Sequence, residues 1–435
     1  MTDELISELG QIRELQVISR TSIMTYKGTH KSLPQIAHEL NVDAVVEGTV
    51  LRSGQQVRIT AQLIQAATDK HLWSQSYQRD IRDTLALQKD VARAIAAQIQ
   101  IALSPHEEAV LKSGNRVNPE AYEAYLRGRY FWNKRTAAGL AKALDYFTES
   151  TAKDPTYARA YSGLADTYAL LGDWEYGVLS PKEAYPKAKA AAIKALELDD
   201  SLGEAHISLA FSLQNFDWDW TAAGREFQRG IDLSPGYATG HHWYAWYLTA
   251  LGRPAEAIAE MKKAETLDPL SLIIGADLAE ELLIAHRYDD AIQESRKIID
   301  MDSRFPVAHY ELGQAFVQKK MYNDGIAELL KAIDFSGGSS TCTSNLAYAY
   351  AVSGRRNKAM EILDGLKQKS NQGNSNAPEI ALVYVGLNDF DQAMAFLESA
   401  YKERFNPTIL FRPAFDNLRP DQRFQDLEQR IGLSR

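Results

Sequence analysis

The sequence predicts a multidomain chain, in which a small α/β domain is followed by an all-α solenoid, a right-handed superhelix of helical hairpins. Two observations support this fold class. Small residues recur 34 positions apart through five consecutive units of the C-terminal part. The first 113 residues lack this period and alternate β-rich with helical stretches. At 435 residues the chain also exceeds what a single hydrophobic core supports.

Residues 1–113 are expected to form the α/β domain. Val, Ile and Thr dominate several short runs, and Ser53-Gly54 supplies a hairpin turn between two of them. The pattern predicts strands at Gln16–Met24, Ala44–Leu51, Val57–Leu63 and His71–Tyr77, and helices at Asp3–Leu9, Leu33–Leu40 and Leu85–Leu103.

Residues 120–405 are expected to form about eight helical hairpins. One series of small residues is Ala257, Ala291, Gly325, Ala359 and Ala393, and a second is Ala245, Ala279, Gly313, Ala347 and Ala381. Two helices cross closely only where the side chains at the crossing are small. Residues 406–435 are then expected to cap the solenoid, with an apolar inner face of Phe415, Leu418, Phe424, Leu427 and Ile431.

The 34-residue pattern resembles the tetratricopeptide family throughout residues 120–405. The N-terminal part resembles the TolB amino-terminal-like domain, also called FlgO-like, in Ser19-Arg-Thr-Ser22, Val46-Glu-Gly-Thr-Val50, Arg58-Ile-Thr-Ala-Gln-Leu63 and Leu72-Trp-Ser74. That resemblance implies a further strand ahead of Met1. We therefore expect an unpaired sheet edge and a homodimer formed through the N-terminal domain.

The tetratricopeptide resemblance implies a concave groove lined by fixed positions of each first helix. Exposed aromatic side chains in such a groove are typical peptide anchors, although the same side chains can instead pack against neighbouring helices. The partner-binding positions are Tyr125, Arg129, Trp132, Phe211, His242, Trp246, Glu280, Tyr310, Gln314 and Tyr348.

No motif for catalysis, nucleotide binding or metal binding is recognisable, so we expect no enzyme activity, no cofactor and no metal. His241 and His242 are adjacent and would point about 100° apart on a helix, which favours a packing or groove role over a shared metal. Cys342 is the one cysteine, and a buried structural thiol is the favoured interpretation.

Charge favours protein partners over nucleic acid. The net charge is −9, and residues 1–113 contribute 12 basic against 13 acidic side chains, which leaves 36 against 44 for the remainder. An acidic solenoid repels nucleic acid and anionic lipid. The sequence has no apolar run long enough to span a bilayer. The compartment stays open: cytoplasmic without a signal, extracytoplasmic if a membrane helix lies upstream.

The two resemblances together imply a protein-interaction scaffold or sensory module of a bacterial signalling protein, which binds peptide or protein partners in the groove. The alternative is the C-terminal regulatory part of a transcription regulator, adenylate cyclase or Ser/Thr kinase whose effector domain is not part of this chain.

Overall fold

The computed structural model of the chain describes residues 2–54, 56–80, 83–101, 103–104, 107–108, 117–172, 178–371 and 376–433. These residues form a small antiparallel sheet with its helices and, from residue 119 onward, a series of helical hairpins. The predicted boundary at residue 113 lies outside the described residues.

The N-terminal sheet is an antiparallel meander in the order β1-β2-β3. On the central strand, apolar side chains at alternate positions are buried, while both outer strands are largely exposed. Gly54 takes a φ of +59°, which the β1–β2 turn requires. The elements are helices Thr2–Gly10, Arg20–Met24, Leu33–Leu40 and Thr84–Gln98, and strands β1 (Ala44–Ser53), β2 (Gln56–Gln65) and β3 (Lys70–Asp80).

The predicted strand at Gln16–Met24 is wrong. Arg20–Met24 is a short helix, and the side chain of Ser19 caps it by accepting a hydrogen bond from Thr21 N at 3.2 Å. Ser19 N donates to Leu267 O at 2.8 Å. A backbone N–H of this stretch thus finds its hydrogen-bond acceptor in a hairpin rather than in a neighbouring strand. Its β-rich composition therefore does not indicate a strand.

Eight helical hairpins follow in the part of the chain that the structure describes, and each is called a repeat here. Within the described residues, no helix has the length and apolar character that crossing a membrane requires. The two helices of each repeat are Pro119–Trp132 and Ala137–Lys153 (repeat 1), Ala158–Leu171 and Pro181–Leu198 (2), Gly203–Ser212 and Trp220–Leu233 (3), Ala238–Ala250 and Pro254–Leu267 (4), Leu272–Ile284 and Tyr288–Met301 (5), Pro306–Gln318 and Tyr322–Phe335 (6), Ser340–Val352 and Arg356–Asn371 (7), and Ala377–Gly386 and Phe390–Lys402 (8).

One turn conformation joins the two helices of repeats 4 to 8. The second residue after each first helix has a positive φ, and the next backbone N–H donates to the carbonyl five residues earlier at 2.8–3.0 Å, as Arg253 N does to Leu248 O. This is the Schellman geometry, which satisfies carbonyls at a helix end. The positive-φ residues are themselves 34 apart: Gly252, His286, Lys320, Gly354 and Asn388.

The small residues of the period lie where the helices cross. A Cβ added to Gly325 would lie 2.9 Å from Gly313 O, and one added to Gly313 would lie 2.7 Å from Leu329 Cγ. The helices of repeat 6 therefore approach too closely for larger side chains. The equivalent alanines of the other repeats are fully buried: Ala245, Ala257, Ala279, Ala291, Ala347, Ala359, Ala381 and Ala393.

The chain after repeat 8 continues the hydrophobic core of the solenoid. It forms the 3₁₀ turns Pro407–Phe411 and Pro413–Leu418 and then the helix Gln422–Ile431. One continuous cluster of buried side chains runs from Val117 to Leu433 and includes this segment. A separate, smaller core joins Leu9 and Ile12 to the sheet and to the helix Thr84–Gln98.

Candidate functional site

The first helices of the repeats, with the loops that precede them, form one surface, which is called the inner surface here. Both ends of the described chain lie on it. The N-terminal segment, residues 2–24, contacts repeats 1 to 5. The C-terminal segment, residues 404–433, contacts the first helices of repeats 4, 5, 6 and 8 and the second helices of repeats 3 and 8. The inner surface is therefore covered by the chain itself over much of its length.

The predicted partner-binding residues all lie on first helices, but most of them are buried. The exposed fractions of Phe211, Tyr310 and Trp132 are 0%, 1% and 2%, and Tyr125 and Tyr348 are also buried. Of the two alternatives left open for these aromatic side chains, the structure shows packing rather than exposure, because neighbouring helices and the two end segments cover them. Their role in partner binding stays a prediction.

Arg412 from the C-terminal segment is seated among three predicted groove residues, Glu280, Tyr310 and Gln314, and their neighbour Glu311. Its Nη2 donates to Glu280 Oε1 at 2.5 Å, and its Nη1 donates to Gln314 Oε1 at 2.9 Å and to Glu311 Oε1 at 3.3 Å. The guanidinium also lies 5.1 Å above the ring centre of Tyr310. A buried arginine is thus held by charge, hydrogen bonds and an aromatic face together.

Two carboxylates share this one guanidinium, and the buried site carries one surplus negative charge if both are ionised. Burial raises the pKa of Glu311 to about 8, against the attraction of Arg412, which lowers it. Glu311 therefore holds its proton more tightly than an exposed glutamate does, while Glu280 forms the shortest contact with Arg412. Burial likewise raises the pKa of Glu281, to which Thr249 donates a hydrogen bond.

His242 and Trp246 lie one turn apart on the first helix of repeat 4. His242 Nε2 lies 2.7 Å from Asp277 Oδ2, and its ring meets the Trp246 ring edge-on at 4.7 Å between centres. Burial lowers the pKa of His242 to about 3, so the neutral imidazole donates its Nε2–H to the carboxylate. Phe211 stacks on Trp243 at 4.2 Å and belongs to the core rather than to the surface.

His241 links the two helices of its repeat to each other and to the preceding loop. In three repeats a histidine early in the first helix places Nδ1 2.6 Å from a glutamate on the second helix, and its Nε2 reaches a backbone carbonyl of the preceding segment. The three pairs are His206–Glu226, His241–Glu260 and His309–Glu328. Neighbouring His241 and His242 thus bind different carboxylates on different helices.

Cys342 lies on the first helix of repeat 7 and is buried. Burial raises the pKa of its thiol to about 11, so the reactive thiolate is scarce at neutral pH. Within the part of the chain that the structure describes, no three His, Cys, Asp or Glu side chains are grouped to hold a metal ion.

The first turns of the N-terminal segment bind repeats 2 and 3 through charged groups. Arg159 pairs with both Glu4 and Glu8, the latter at 2.6 Å between Nη2 and Oε1, and the two carboxylates are almost completely buried while Arg159 keeps a side-chain exposure of 15%. Ser7 Oγ donates to Glu204 Oε1 at 2.8 Å. The ring of Tyr125, a predicted groove residue, is covered by this arrangement.

The remainder of the N-terminal segment follows the loops before repeats 4 and 5. Gly236 N donates to Gly10 O at 2.9 Å, and a Cβ on Gly236 would lie 2.8 Å from Gly10 Cα, so the two backbones touch. Ser22 Oγ donates to Asp268 Oδ1 at 2.6 Å and accepts from Leu270 N at 2.8 Å. Direct backbone contact and polar side chains hold this segment in place.

The sequence of the hairpins matches a known repeat. The family model described as the tetratricopeptide repeat matches residues 238–269 and 379–407. These two matches fall on repeats 4 and 8, whose turn and small-residue pattern the intervening repeats share. The chain contains tetratricopeptide repeats. The predicted resemblance of residues 1–113 to the TolB amino-terminal-like domain stays a prediction.

Two curated proteins are similar to parts of this tetratricopeptide chain. A candidate adenylate cyclase 3 of Rhizobium meliloti is 31% identical over 215 residues, which are 49% of this chain and 36% of that protein. The transcriptional regulator HilA of Salmonella typhimurium is 29% identical over 151 residues, which are 35% of this chain and 27% of the regulator. The chain thus spans about a third or less of the length of these relatives.

Solved structures are similar at low sequence identity. The tetratricopeptide protein YrrB, whose structure is described as having an unusual peptide-binding site, is 20% identical with a TM-score of 0.30, over 43% of this chain and 91% of YrrB. The Cut9–Hcn1 complex of the APC/C is 15% identical with a TM-score of 0.47, over 81% of this chain and 68% of that one.

The tetratricopeptide pattern did not predict the residues that cover the inner surface. Arg412, Glu311 and Asp268 were not among the predicted site residues, although one signal for them exists in the sequence. Acidic residues recur within strongly apolar first helices, as Glu280 and Glu281 do beside Leu282 and Leu283. A buried carboxylate needs a cation or donor from elsewhere in the chain.

Proposed function

We propose that this chain is a non-catalytic regulatory module of a bacterial signalling protein and that its inner surface binds a peptide or protein partner. Tetratricopeptide repeats form protein-interaction scaffolds, and the chain contains them. The observation that carries the proposal is the seating of Arg412, because the inner surface already holds a stretch of polypeptide that contains no α-helix by a buried arginine.

The chemistry of this seat suits an arginine-containing peptide. Glu280, Glu311 and Gln314 supply acceptor oxygens for the guanidinium, and Tyr310 offers an aromatic face. A planar guanidinium satisfies all of these at once, which an ammonium does not. In the proposed mechanism the partner presents such an arginine and displaces Arg412, so that the C-terminal segment sets a threshold for binding.

The test uses a synthetic peptide with the sequence of residues 404–418 as the probe, and the full chain carrying Arg412→Ala and Glu311→Gln as the receptor. Calorimetry should show binding, and the same peptide with alanine in place of its arginine should bind at least about tenfold more weakly. Adding Glu280→Gln to the receptor should produce the same loss. Equal binding of the two peptides would overturn the proposal.

A second candidate function rests on the similarity to a cyclase and to a transcriptional regulator. In this proposal the chain is the regulatory part of a longer protein that carries an effector domain of one of these kinds. The reading frame of the gene ahead of Met1 decides the matter. An in-frame DNA-binding or cyclase domain supports the second candidate, and an in-frame stop codon directly upstream contradicts it.

A further inference from the structure

The N-terminal helix, Thr2–Gly10, lies against the inner surface of repeats 1 to 3 with its polar face. Glu4, Ser7 and Glu8 share that face, because positions i, i+3 and i+4 of a helix project to the same side. Leu9 belongs instead to the core beneath the sheet. The helix therefore presents polar groups to the repeats and an apolar side to the sheet.

The first helices of repeats 2 and 3 contact all three polar groups of this face. Arg159 in repeat 2 holds Glu4 through Nη1 and Glu8 through Nη2, the latter at 2.6 Å. Glu204 in repeat 3 accepts the hydroxyl hydrogen of Ser7 at 2.8 Å. The repeats thus recognise the pattern Glu-x-x-Ser-Glu, and they recognise it on a helix, because helical spacing is what brings the two carboxylates to one guanidinium.

The charges decide which kind of helix this surface accepts. Two glutamates one turn apart repel each other, and a helix of nine residues is marginal on its own. Burial lowers the pKa of Arg159, but the attraction of Glu4 and Glu8 outweighs burial and raises this pKa well above its ordinary value. Docking therefore stabilises an acidic helix that is weak in isolation.

The fit of the N-terminal helix on the repeats is incomplete. A cavity of about 40 Å³ remains beneath the helix, with Tyr125 and Gly163 in its wall. Glu8 Oε2 is buried and has no hydrogen-bond partner among the described residues. A void and an unpaired carboxylate oxygen both cost free energy. Another helix with the same polar groups, and with a larger side chain above the cavity, would fit the repeats better.

We propose that the inner surface of repeats 1 to 3 binds an acidic helix of a partner protein, which presents two carboxylates one turn apart, and that the N-terminal helix occupies this site in the free protein. The commitment to an acidic occupant rests on charge complementarity with Arg159, whereas the arginine seat selects the opposite charge. The proposal rests on the proposed function only in that the inner surface binds a partner. The two sites share no residue, so they can fail separately.

The probe is a synthetic Ala-rich helical peptide of about 18 residues that carries the sequence of residues 4–8, Glu-Leu-Ile-Ser-Glu. The receptor is the full chain with Glu4→Gln and Glu8→Gln, which removes the charges of the N-terminal helix but keeps its apolar side. Calorimetry should show binding, and a peptide with glutamine in place of both glutamates should bind at least about tenfold more weakly. Adding Arg159→Gln to the receptor should produce the same loss.

Arg127→Gln is the matched control, because Arg127 lies on the first helix of repeat 1 and forms an exposed pair with Glu123. Added to the same receptor, it should leave the binding unchanged. Sedimentation tests the other occupant. A dimer of the wild type that the double variant abolishes would assign the site to the N-terminal helix of a second copy and overturn the proposal.

A measurement on the wild type does not depend on the folding of any variant. The acidic peptide at saturation should speed up the hydrogen exchange of residues 2–10, because it displaces the N-terminal helix. The proposal is overturned if the acidic peptide does not bind, if the two peptides bind equally, or if the exchange of residues 2–10 is unchanged at saturation. None of these results alters the expected binding of the arginine peptide to repeats 5 and 6.

Discussion

The two end segments reach the same inner surface by different physical means. The C-terminal segment buries Phe415, Leu418 and Phe424 completely, and these side chains belong to the continuous core of the repeats. The N-terminal segment contributes Leu9 and Ile12 to the separate core beneath the sheet, and Ile18, which is also buried, belongs to neither core. Its contacts with the repeats are ion pairs, side-chain hydrogen bonds and backbone contacts.

This difference indicates that the C-terminal segment is part of the folded solenoid and that the N-terminal segment is docked onto it. Burying apolar area is the main source of folding free energy, whereas exchanging water for a protein hydrogen bond yields little. The N-terminal segment should therefore open at a lower free energy than the C-terminal segment does. Regions of this kind are where proteins switch.

The largest expected effect separates the two segments most clearly. Arg412→Ala leaves Glu280 and Glu311 buried without their cation and should lower the free energy of unfolding by about 3–5 kcal/mol. Urea unfolding measures this. Arg423→Ala is the control, because Arg423 pairs with Asp391 and Asp421 at a side-chain exposure of 49%, and it should cost no more than about 1 kcal/mol. Equal losses of unfolding free energy in the two variants would show that the buried contacts of Arg412 contribute nothing to stability.

Gly236→Ala should release the N-terminal segment alone. The added Cβ would lie 2.8 Å from Gly10 Cα, so the two backbones must separate, at a cost of about 1–3 kcal/mol. Hydrogen exchange should speed up in residues 2–24 and stay unchanged in residues 404–433.

The matched control for this glycine is Gly365→Ala. Gly365 is exposed on a helix, and a Cβ added there meets no atom within 4 Å, so the change should be neutral or stabilise by up to about 1 kcal/mol. Faster exchange at both ends of the chain in Gly236→Ala would contradict the independence of the two segments.

The pH dependence of the unfolding free energy tests whether Glu311 holds a proton beside Arg412. The pKa of Glu311 is about 8 in the folded protein against an ordinary value of 4.5, so the folded state holds the proton more tightly. The free energy of unfolding should therefore fall as the pH rises from about 4.5 to about 8, with a slope of no more than about 1.4 kcal/mol per pH unit. Urea unfolding of Glu311→Gln across the same window should lack this contribution. A slope that is unchanged in the variant would exclude Glu311 as its source.

The smallest effect on stability is expected in the sheet. Leu51 on the outer strand β1 has an exposed fraction of 64%, and we propose that this edge pairs with a second copy of the chain. Leu51→Lys should convert the dimer into a monomer in sedimentation while changing the unfolding free energy by less than about 0.5 kcal/mol. Thr60→Lys on the central strand is not expected to alter the mass. A wild type that is monomeric at all concentrations would refute the pairing.

The repeats could be predicted from the sequence because their constraints are local. Close helix crossings admit only small residues, as Gly313 and Gly325 illustrate, and each crossing recurs at a fixed spacing. The family model confirms the prediction of tetratricopeptide repeats. The strand predicted at Gln16–Met24 failed because its β-rich composition gave no hint of the backbone partner at Leu267.

The inner surface was only partly predictable. The positions of Glu280, Tyr310 and Gln314 within their repeats predicted that they lie on the inner surface. No local sequence pattern predicts which segment covers them. Arg412 is 132 residues from Glu280, and Ser22 is 246 residues from Asp268. Contacts of such separation depend on the pitch of the whole superhelix, which a repeat of 34 residues does not encode by itself.

The hydrogen bond from Trp220 Nε1 to Ile431 O has a consequence for synthesis, because its partners are 211 residues apart. A ribosome that adds about 5–20 residues per second needs roughly 10–40 s to produce the intervening chain. During that interval Trp220 has the ring of Tyr247 beside it, but its indole N–H lacks its acceptor. Trp218 lacks its ring partners Tyr401 and Phe405. The nascent protein therefore exposes the Trp218 ring to chaperones long after repeat 3 itself has left the exit tunnel.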